Sequence, residues 1–246
     1  MHEAQMHDDC QFITLTYNDE SIPYDGSLTK PHFQKFMKRY RKSVLSPIRY
    51  FMCGEYGDLF SRPHYHACIF GHDFTDKEIF SEKEGILTYY SKNLEDLWGK
   101  GFCTTSELTL ESAAYVARYT LKKIKGEKSD EHYQRICPIT GEIRQIEPEY
   151  ANMSRRPGIA LEWYKKFHTD IFPYDTTIYK GKRIKTPRYY ENLLRSQDQS
   201  EFDGIKASRK ENALANAHDN TPERLLVKET VKLASIHNLR RTLHET

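Results

Sequence analysis

The chain has no long hydrophobic run. No apolar stretch approaches the ~20 residues that a membrane-spanning helix needs, and the first residues do not follow the basic-then-apolar pattern of a secretory signal. Charged residues make up 29% of the chain and the mean hydropathy is −0.78, which predicts a soluble protein. Aromatic residues still account for 13% of the chain, enough for an ordered core, so global disorder is excluded.

Paired cysteine motifs are also missing. The five cysteines are scattered without a C-x-x-C pair, which excludes a zinc ribbon and predicts reduced thiols; they are Cys10, Cys53, Cys68, Cys103 and Cys137. No internal repeat, glycine-rich phosphate-binding loop or helicase motif is visible. The chain therefore carries no nucleotide-driven motor of its own, and any strand separation must come from a partner.

The overall charge is nearly balanced, at +2, so the chain lacks the strongly basic character of many nucleic-acid binders. Positive charge is instead concentrated in islands interleaved with aromatic residues, at 35–42, 122–128, 155–156 and 180–185. Such islands attract phosphates while aromatic faces stack on unpaired bases. Each island taken alone is equally well explained as a solvated helix or hairpin face.

The segment 62–71 contains the sequence His64-Tyr65-His66 within an apolar strand pattern. Because side chains alternate across a strand, His64 and His66 share one face and form a potential clamp for a divalent metal. With eleven histidines in the chain, one such spacing is unsurprising by chance. The motif gains weight only from the residues before and after it.

Upstream, residues 48–56 predict another strand, and the Gly-Asp and Pro punctuation before Pro63 predicts a turn. The two strands would form an antiparallel hairpin that places Glu55 across from the histidine pair. Two imidazoles and one carboxylate leave coordination positions open for substrate oxygens, as a catalytic metal requires. Alone, Glu55 would be better explained as a solvated strand-end carboxylate.

Downstream, residues 110–124 predict a helix, rich in alanine and with Lys122 and Lys123 near its C-terminal end. Tyr115 and Tyr119 are four residues apart, so their Cβ atoms lie about 6 Å from each other on one face. A structural pair of half-buried aromatics is an equally fair explanation. The order of strand, metal clamp and tyrosine helix favours a catalytic role.

The remaining pattern predicts an α+β sandwich with an antiparallel sheet and helices mainly on one face. Further strands are expected at 11–17 and 102–108, a helix at 31–43 capped by Thr29, a short helix ending at Gly99, and a variable excursion through 72–92. Hairpins are expected within 133–150 and 174–188. A long amphipathic helix opens at Thr221-Pro222 and is expected to pack on the domain or self-associate.

This order of motifs resembles the HUH endonucleases, and within them the replication initiators of microviruses, the small single-stranded DNA phages. The similarity runs from about residue 11 to 195 and is specific in its combination of blocks. The blocks that carry it are 12–17, 64–66, 115–123, 154–160 and 187–190. The middle residue of the second block is tyrosine, where the family usually has an aliphatic residue. Relatives tend to carry a longer, cysteine-containing leader, which predicts that Met1 is an internal position.

The resemblance implies a ferredoxin-like endonuclease domain at 1–195 and a helical C-terminal extension at 196–246. It also implies a rolling-circle initiator that cuts and rejoins single-stranded origin DNA through a 5′-phosphotyrosyl intermediate. Tyr115 and Tyr119 would be the nucleophiles, assisted by Lys122 and Lys123. The expected cofactor is Mg²⁺ or Mn²⁺, held by His64, His66 and Glu55.

The expected partners are single-stranded and origin DNA together with a host helicase and DNA polymerase, in the host bacterial cytoplasm and without a membrane. Two alternatives stay open on the sequence. One is a non-catalytic DNA-binding or copy-control module, whose His and Tyr residues merely fill a sheet. The other keeps the chemistry but places it in a transposase or relaxase.

Overall fold

The structure of the protein is a computed structural model that describes residues 1–57, 61–83, 85–122, 126, 128–136 and 141–237. For residues 119–122 and 128 it describes the backbone alone. The chain divides into two compact units, the first from Met1 to Ala160 and the second beginning at Leu161. The division at residue 195, predicted from the resemblance, stays a prediction.

The first unit contains nine strands and four helices within its described residues. The strands are β1 Cys10–Thr16, β2 Arg49–Tyr56, β3 Pro63–Phe70, β4 Lys77–Lys83, β5 Ile86–Ser91, β6 Cys103–Glu107, β7 Gln134–Ile136, β8 Ile143–Gln145 and β9 Tyr150–Met153. The helices are α1 Lys30–Ser43, α2 Lys92–Trp98, α3 Leu110–Lys122 and α4 Lys128–His132.

Seven of these strands form one antiparallel sheet in the order β4-β5-β6-β1-β3-β2-β9. The predicted α+β class with an antiparallel sheet is confirmed, and the sheet is consistent with a ferredoxin-like HUH-type fold. The predicted excursion through 72–92 was wrong in one respect. It contains the hairpin β4–β5, which extends the sheet at one edge.

Alternation along the central strands gives the sheet two different faces. Ile13, Leu15, Tyr65, Ala67 and Ile69 point to the face that packs on α1 and α2, where the larger hydrophobic core lies. The opposite face carries a smaller core, which contains Tyr115 and Val116 of α3. The helix α3 packs on β2, β3 and β9, so it covers the centre of this second face.

The helix α1 shows how the larger core is filled. Phe33, Phe36, Met37 and Tyr40 are buried as the predicted stripe, at the spacing that places them on one helix face. Thr29 occupies the N-cap position, but its side chain makes no capping hydrogen bond, so the predicted side-chain cap was wrong. Its hydroxyl instead donates to the carbonyl of Ser27.

The described part of the second unit consists of helices and one hairpin. The elements are α5 Leu161–Ile171, β10 Thr176–Tyr179, β11 Lys182–Lys185, α6 Arg188–Gln197, α7 Gln199–Ala215 and α8 Pro222–His237. The predicted hairpin within 174–188 is therefore present. In α8 the apolar side chains are exposed; Leu239 and Leu243 of the predicted apolar side lie outside the described residues. Among the described helices, none has the length and apolar character to cross a membrane.

Candidate active site

Register brings the three predicted metal ligands together on the sheet face covered by α3. Glu55 of β2 is the direct partner of His64 in β3, and His66 lies opposite Cys53 of β2 and Thr14 of β1. Because alternate residues share a face, His64, His66 and Glu55 all point the same way. The predicted hairpin register between the two strands is the observed one.

The ligand atoms of Glu55, His64 and His66 lie within 4.8 Å of one another. Glu55 Oε1 is 3.0 Å from His64 Nε2 and 2.8 Å from His66 Nε2. The second of these contacts lacks hydrogen-bond geometry, and among the described residues neither His66 Nε2 nor Glu55 Oε2 has a hydrogen-bond partner. Glu55 and His66 are buried, and His64 is partly exposed.

The second nitrogen of each ring explains how the rings are aimed. His64 Nδ1 lies 3.0 Å from the carbonyl oxygen of Arg62, and His66 Nδ1 lies 2.9 Å from Thr14 Oγ1. When each Nδ1–H donates to its oxygen, each Nε2 keeps its lone pair and faces the carboxylate. Two lone pairs facing a buried carboxylate repel unless a proton or a cation lies between them. The donor set therefore fits a divalent cation.

Electrostatics keep the group in the form that binds a cation. Burial acts to raise the pKa of Glu55, but the interactions with His64 and His66 outweigh it and the pKa lies below its ordinary value. Burial lowers the pKa of His66, and Glu55 only partly opposes this effect. At neutral pH Glu55 is consequently ionised and His66 is neutral, which is the state that ligates a metal.

Two residues of β1 support the site, and the sequence did not assign either of them a role. Thr14 bonds to His66 Nδ1, and the ring of Phe12 stacks on the ring of His66 with 5.4 Å between centroids. Both belong to block 12–17, and their two-residue spacing places them on the same face as the histidines. That alternation was the available signal, but it became specific only once β1 was known to pair with β3.

The helix α3 places a phenol against the same carboxylate. Thr109 and Ser112 exchange hydrogen bonds between backbone N–H and side-chain oxygen, which fixes the start of the helix. Tyr115 is buried, and its hydroxyl donates to Glu55 Oε1 at 3.1 Å. Its ring also contacts the His66 ring edge to face, with centroids 5.0 Å apart.

The other predicted catalytic residues are only partly described. Tyr119 and Lys122 lie in α3, one and nearly two turns beyond Tyr115, with their backbones described. Lys123 lies outside the described residues. The structure thus joins Tyr115 to the His–His–Glu group, and the roles of Tyr119, Lys122 and Lys123 stay predictions.

An antiparallel sheet with a buried His–His–Glu group, partly covered by a helix that bears a tyrosine, defines a class of α+β protein with a candidate metal site. Comparison with known proteins narrows this class. The family of replication-associated proteins of the ORF2 type matches residues 10–124, the segment that contains the whole site. No solved structure matches the chain.

Three curated relatives come from small phages. The chain is 36% identical to Replication-associated protein ORF2 of Spiroplasma virus 4, over 80% of this chain and 62% of the relative. It is 35% identical to Replication-associated protein VP4 of Bdellovibrio phage phiMH2K, over 78% and 59%. It is 28% identical to Replication-associated protein ORF4 of Chlamydia phage 1, over 82% and 50%.

The chain therefore belongs to the microvirus-type replication-associated proteins. The matched segments span between one half and about three fifths of the length of these relatives. The predicted family is confirmed, and the relationship supports a role in replication initiation.

Proposed function

We propose that the protein is a metal-dependent, site-specific single-strand DNA endonuclease and strand transferase that initiates rolling-circle replication of a phage genome. It would act on single-stranded and origin DNA in the host bacterial cytoplasm, with a host helicase and DNA polymerase as partners. The observation that carries the proposal is the contact of Tyr115 with Glu55, the carboxylate that also contacts both histidines.

In this proposal His64, His66 and Glu55 would hold a divalent cation, which supplies charge neutralisation and orientation at the scissile phosphate. Mg²⁺ and Mn²⁺ bind in octahedral geometry, in which adjacent ligands at about 2.1 Å lie about 3 Å apart. The distances of 2.8 and 3.0 Å from Glu55 Oε1 to the two imidazoles agree with that spacing. Thr14 and the Arg62 carbonyl would keep the rings aimed.

Tyr115 would act as the nucleophile. Its oxygen attacks phosphorus in line, a new phenolic ester bond forms, and the bond from phosphorus to the 3′ oxygen breaks. The phenol loses its proton and the departing 3′ oxygen gains one, which leaves a 5′-phosphotyrosyl link and a 3′-hydroxyl primer. The phosphoester is conserved, so the reverse attack can reseal the strand.

A second tyrosine is useful because one phenol stays esterified to the old 5′ end while another cuts the newly made origin. We assign this second role to Tyr119, which lies one turn along α3. Lys122 and Lys123 would stabilise charge on the phosphoryl oxygens. A free phenol has a pKa of ~10, so only about one in a thousand is ionised at pH 7 and nearby cations are needed.

The test is to incubate the protein with Mn²⁺ and overlapping single-stranded oligonucleotides that cover the encoding phage genome. A covalent adduct is expected for one origin sequence, and mass spectrometry should map it to Tyr115 or Tyr119. His64→Ala and His66→Ala should abolish it while the fold is kept. Single Tyr→Phe changes at 115 or 119 should leave partial cleavage, and the double change should leave none.

The matched control is Tyr174→Phe, because Tyr174 is highly exposed and lies in the second unit. This variant should cut as the wild type does. An adduct that survives in the Tyr115/Tyr119 double variant would assign the nucleophile elsewhere. Tight origin binding without any adduct would instead favour the non-catalytic DNA-binding or copy-control alternative, and the transposase or relaxase alternative is decided by the genes that surround the reading frame.

A further inference from the structure

A cleft with a volume of about 80 Å³ opens beside His66 on the same face of the sheet. It crosses from β1 over β6 to the edge hairpin β4–β5, and its lining includes Thr14, Thr88, Thr104, Phe80 and Phe102. None of its lining residues is acidic, and Lys83 lies at its outer end. The cleft is therefore compatible with a polyanion and continuous with the candidate metal group.

Two phenylalanines at this cleft are unusually exposed. Phe80 keeps 48% and Phe102 keeps 37% of its surface in solvent. Their rings contact each other with 4.9 Å between centroids, so together they form an exposed aromatic platform. Exposed aromatic platforms bind unpaired bases by stacking, whatever the base, because every base has a π-face.

The backbone shows that Phe80 is directed toward the cleft by a local irregularity. In the β4–β5 pairing Ile79 faces Tyr89 and Ser81 faces Thr88, so Phe80 is an extra residue in a β-bulge. A bulge redirects a side chain that regular alternation would place elsewhere. As a result, the consecutive residues Phe80 and Ser81 both line the cleft.

Phe102 is held by the central strand next to the site. Its carbonyl oxygen accepts hydrogen bonds from the backbone N–H of Thr16 at 3.0 Å and from Thr16 Oγ1 at 2.6 Å. Thr16 is in turn the strand partner of His64. The platform is thus tied through one residue to a proposed metal ligand.

The floor between the platform and His66 offers hydrogen-bonding groups. Among the described residues, the hydroxyls of Thr88, Thr104 and Ser106 line the cleft and have no hydrogen-bond partner in the protein. Hydroxyls can donate and accept, so they match base edges or sugar and phosphate oxygens.

We propose that this cleft binds one unpaired nucleotide of the DNA strand next to the scissile phosphate, with its base stacked on the Phe80–Phe102 platform. The proposal rests on the proposed function, because that function supplies the single strand. It adds a base-binding subsite, contributed by the edge hairpin and by the start of β6, to the chemistry of Glu55, His64 and His66.

The test measures binding of a fluorescein-labelled thymidine 12-mer to the whole chain by fluorescence anisotropy, in EDTA so that no cutting occurs. The Phe80→Ala/Phe102→Ala double variant should bind about 10-fold more weakly, the scale expected for loss of one base–aromatic stack. The matched control is Ile79→Ala, since Ile79 is an even more exposed apolar residue of the same strand and does not line the cleft. This control should leave the affinity unchanged.

A fully abasic 12-mer separates stacking from other causes. It should bind wild type more weakly than the thymidine 12-mer does, and the double alanine variant should lose nothing further on it. Phe80→Tyr should restore stacking, which excludes a folding defect as the cause. An equal loss on both oligonucleotides, or no loss on either, would overturn the proposal. Because binding is read without metal or cutting, the result is separate from the adduct assay.

Discussion

Metal binding by the His–His–Glu group predicts a thermal shift that should disappear with the histidines. A ligand that binds only the folded state stabilises it by about 2.7 kcal/mol at 100 times its Kd. For a chain of this size one kcal/mol changes Tm by about 2–4 °C. Saturating Mn²⁺ should therefore raise the wild-type Tm by about 5–10 °C relative to EDTA.

The structure sets the ranking of the variants. His66 and Glu55 are buried and contribute donor atoms that face each other at 2.8 Å, so His66→Ala and Glu55→Gln should each lower affinity by tenfold or more. Tenfold equals about 1.4 kcal/mol, or a loss of about 3–6 °C from the shift. The double change His64→Ala/His66→Ala leaves one carboxylate and should abolish the shift.

Differential scanning fluorimetry in Mn²⁺ and in EDTA gives the shift for each variant separately, so that any general destabilisation by the substitution cancels. Glu147→Gln is the matched control, because Glu147 is an exposed carboxylate paired with Lys30 at 2.8 Å. Its shift should equal that of wild type. A full shift in the double histidine variant, or none in wild type at 10 mM Mn²⁺ (about 10 mM being a generous excess for a catalytic site), would refute the reasoning.

Three further predictions concern stability and reactivity. Hydrogen bonds from Arg209 lower the pKa of Asp175, so its stabilising effect is present above its unfolded pKa of about 3.9 and is lost as the pH falls through the folded value; Asp175→Asn should cost about 1 kcal/mol in urea unfolding at pH 7 and nothing at pH 2. Gly101→Ala should lower the free energy of unfolding by about 3 kcal/mol or more, since φ is +143° and a Cβ would lie 2.3 Å from the backbone nitrogen of Asn18; an unchanged urea midpoint would contradict this. Burial raises the pKa of the Cys68 thiol to about 12, so native protein at pH 8 should leave Cys68 unalkylated by iodoacetamide, and mass spectrometry of labelled peptides checks it.

Alternation made the central sheet predictable from the sequence. The strands β1, β2 and β3 have strong apolar alternation, and a slip of one residue would turn Glu55 away from His64. The edge hairpin was missed because β4 is mostly exposed and rich in charge, as edge strands often are. Its bulge also breaks the period of two that identifies a strand.

The candidate site was predictable where its residues are close in sequence and hidden where the packing of separate elements makes it. His64, His66 and Glu55 follow from one hairpin, which the local pattern indicates. The contact of Thr14 with His66 depends on the pairing of β1 with β3, and the contact of Tyr115 with Glu55 depends on α3 packing against the sheet. No local pattern determines how a helix lies on a sheet.

The edge position of the hairpin β4–β5 separates two kinds of evolutionary change. The proposed metal ligands lie on β2 and β3, each of which is paired on both sides. The strand β4 has a neighbour on one side only, so the hairpin can change in length or composition without unpairing an inner strand. Phages of this group can therefore diverge in the origin they recognise while their cutting chemistry stays constant, and transplanting the hairpin between relatives should move sequence preference alone.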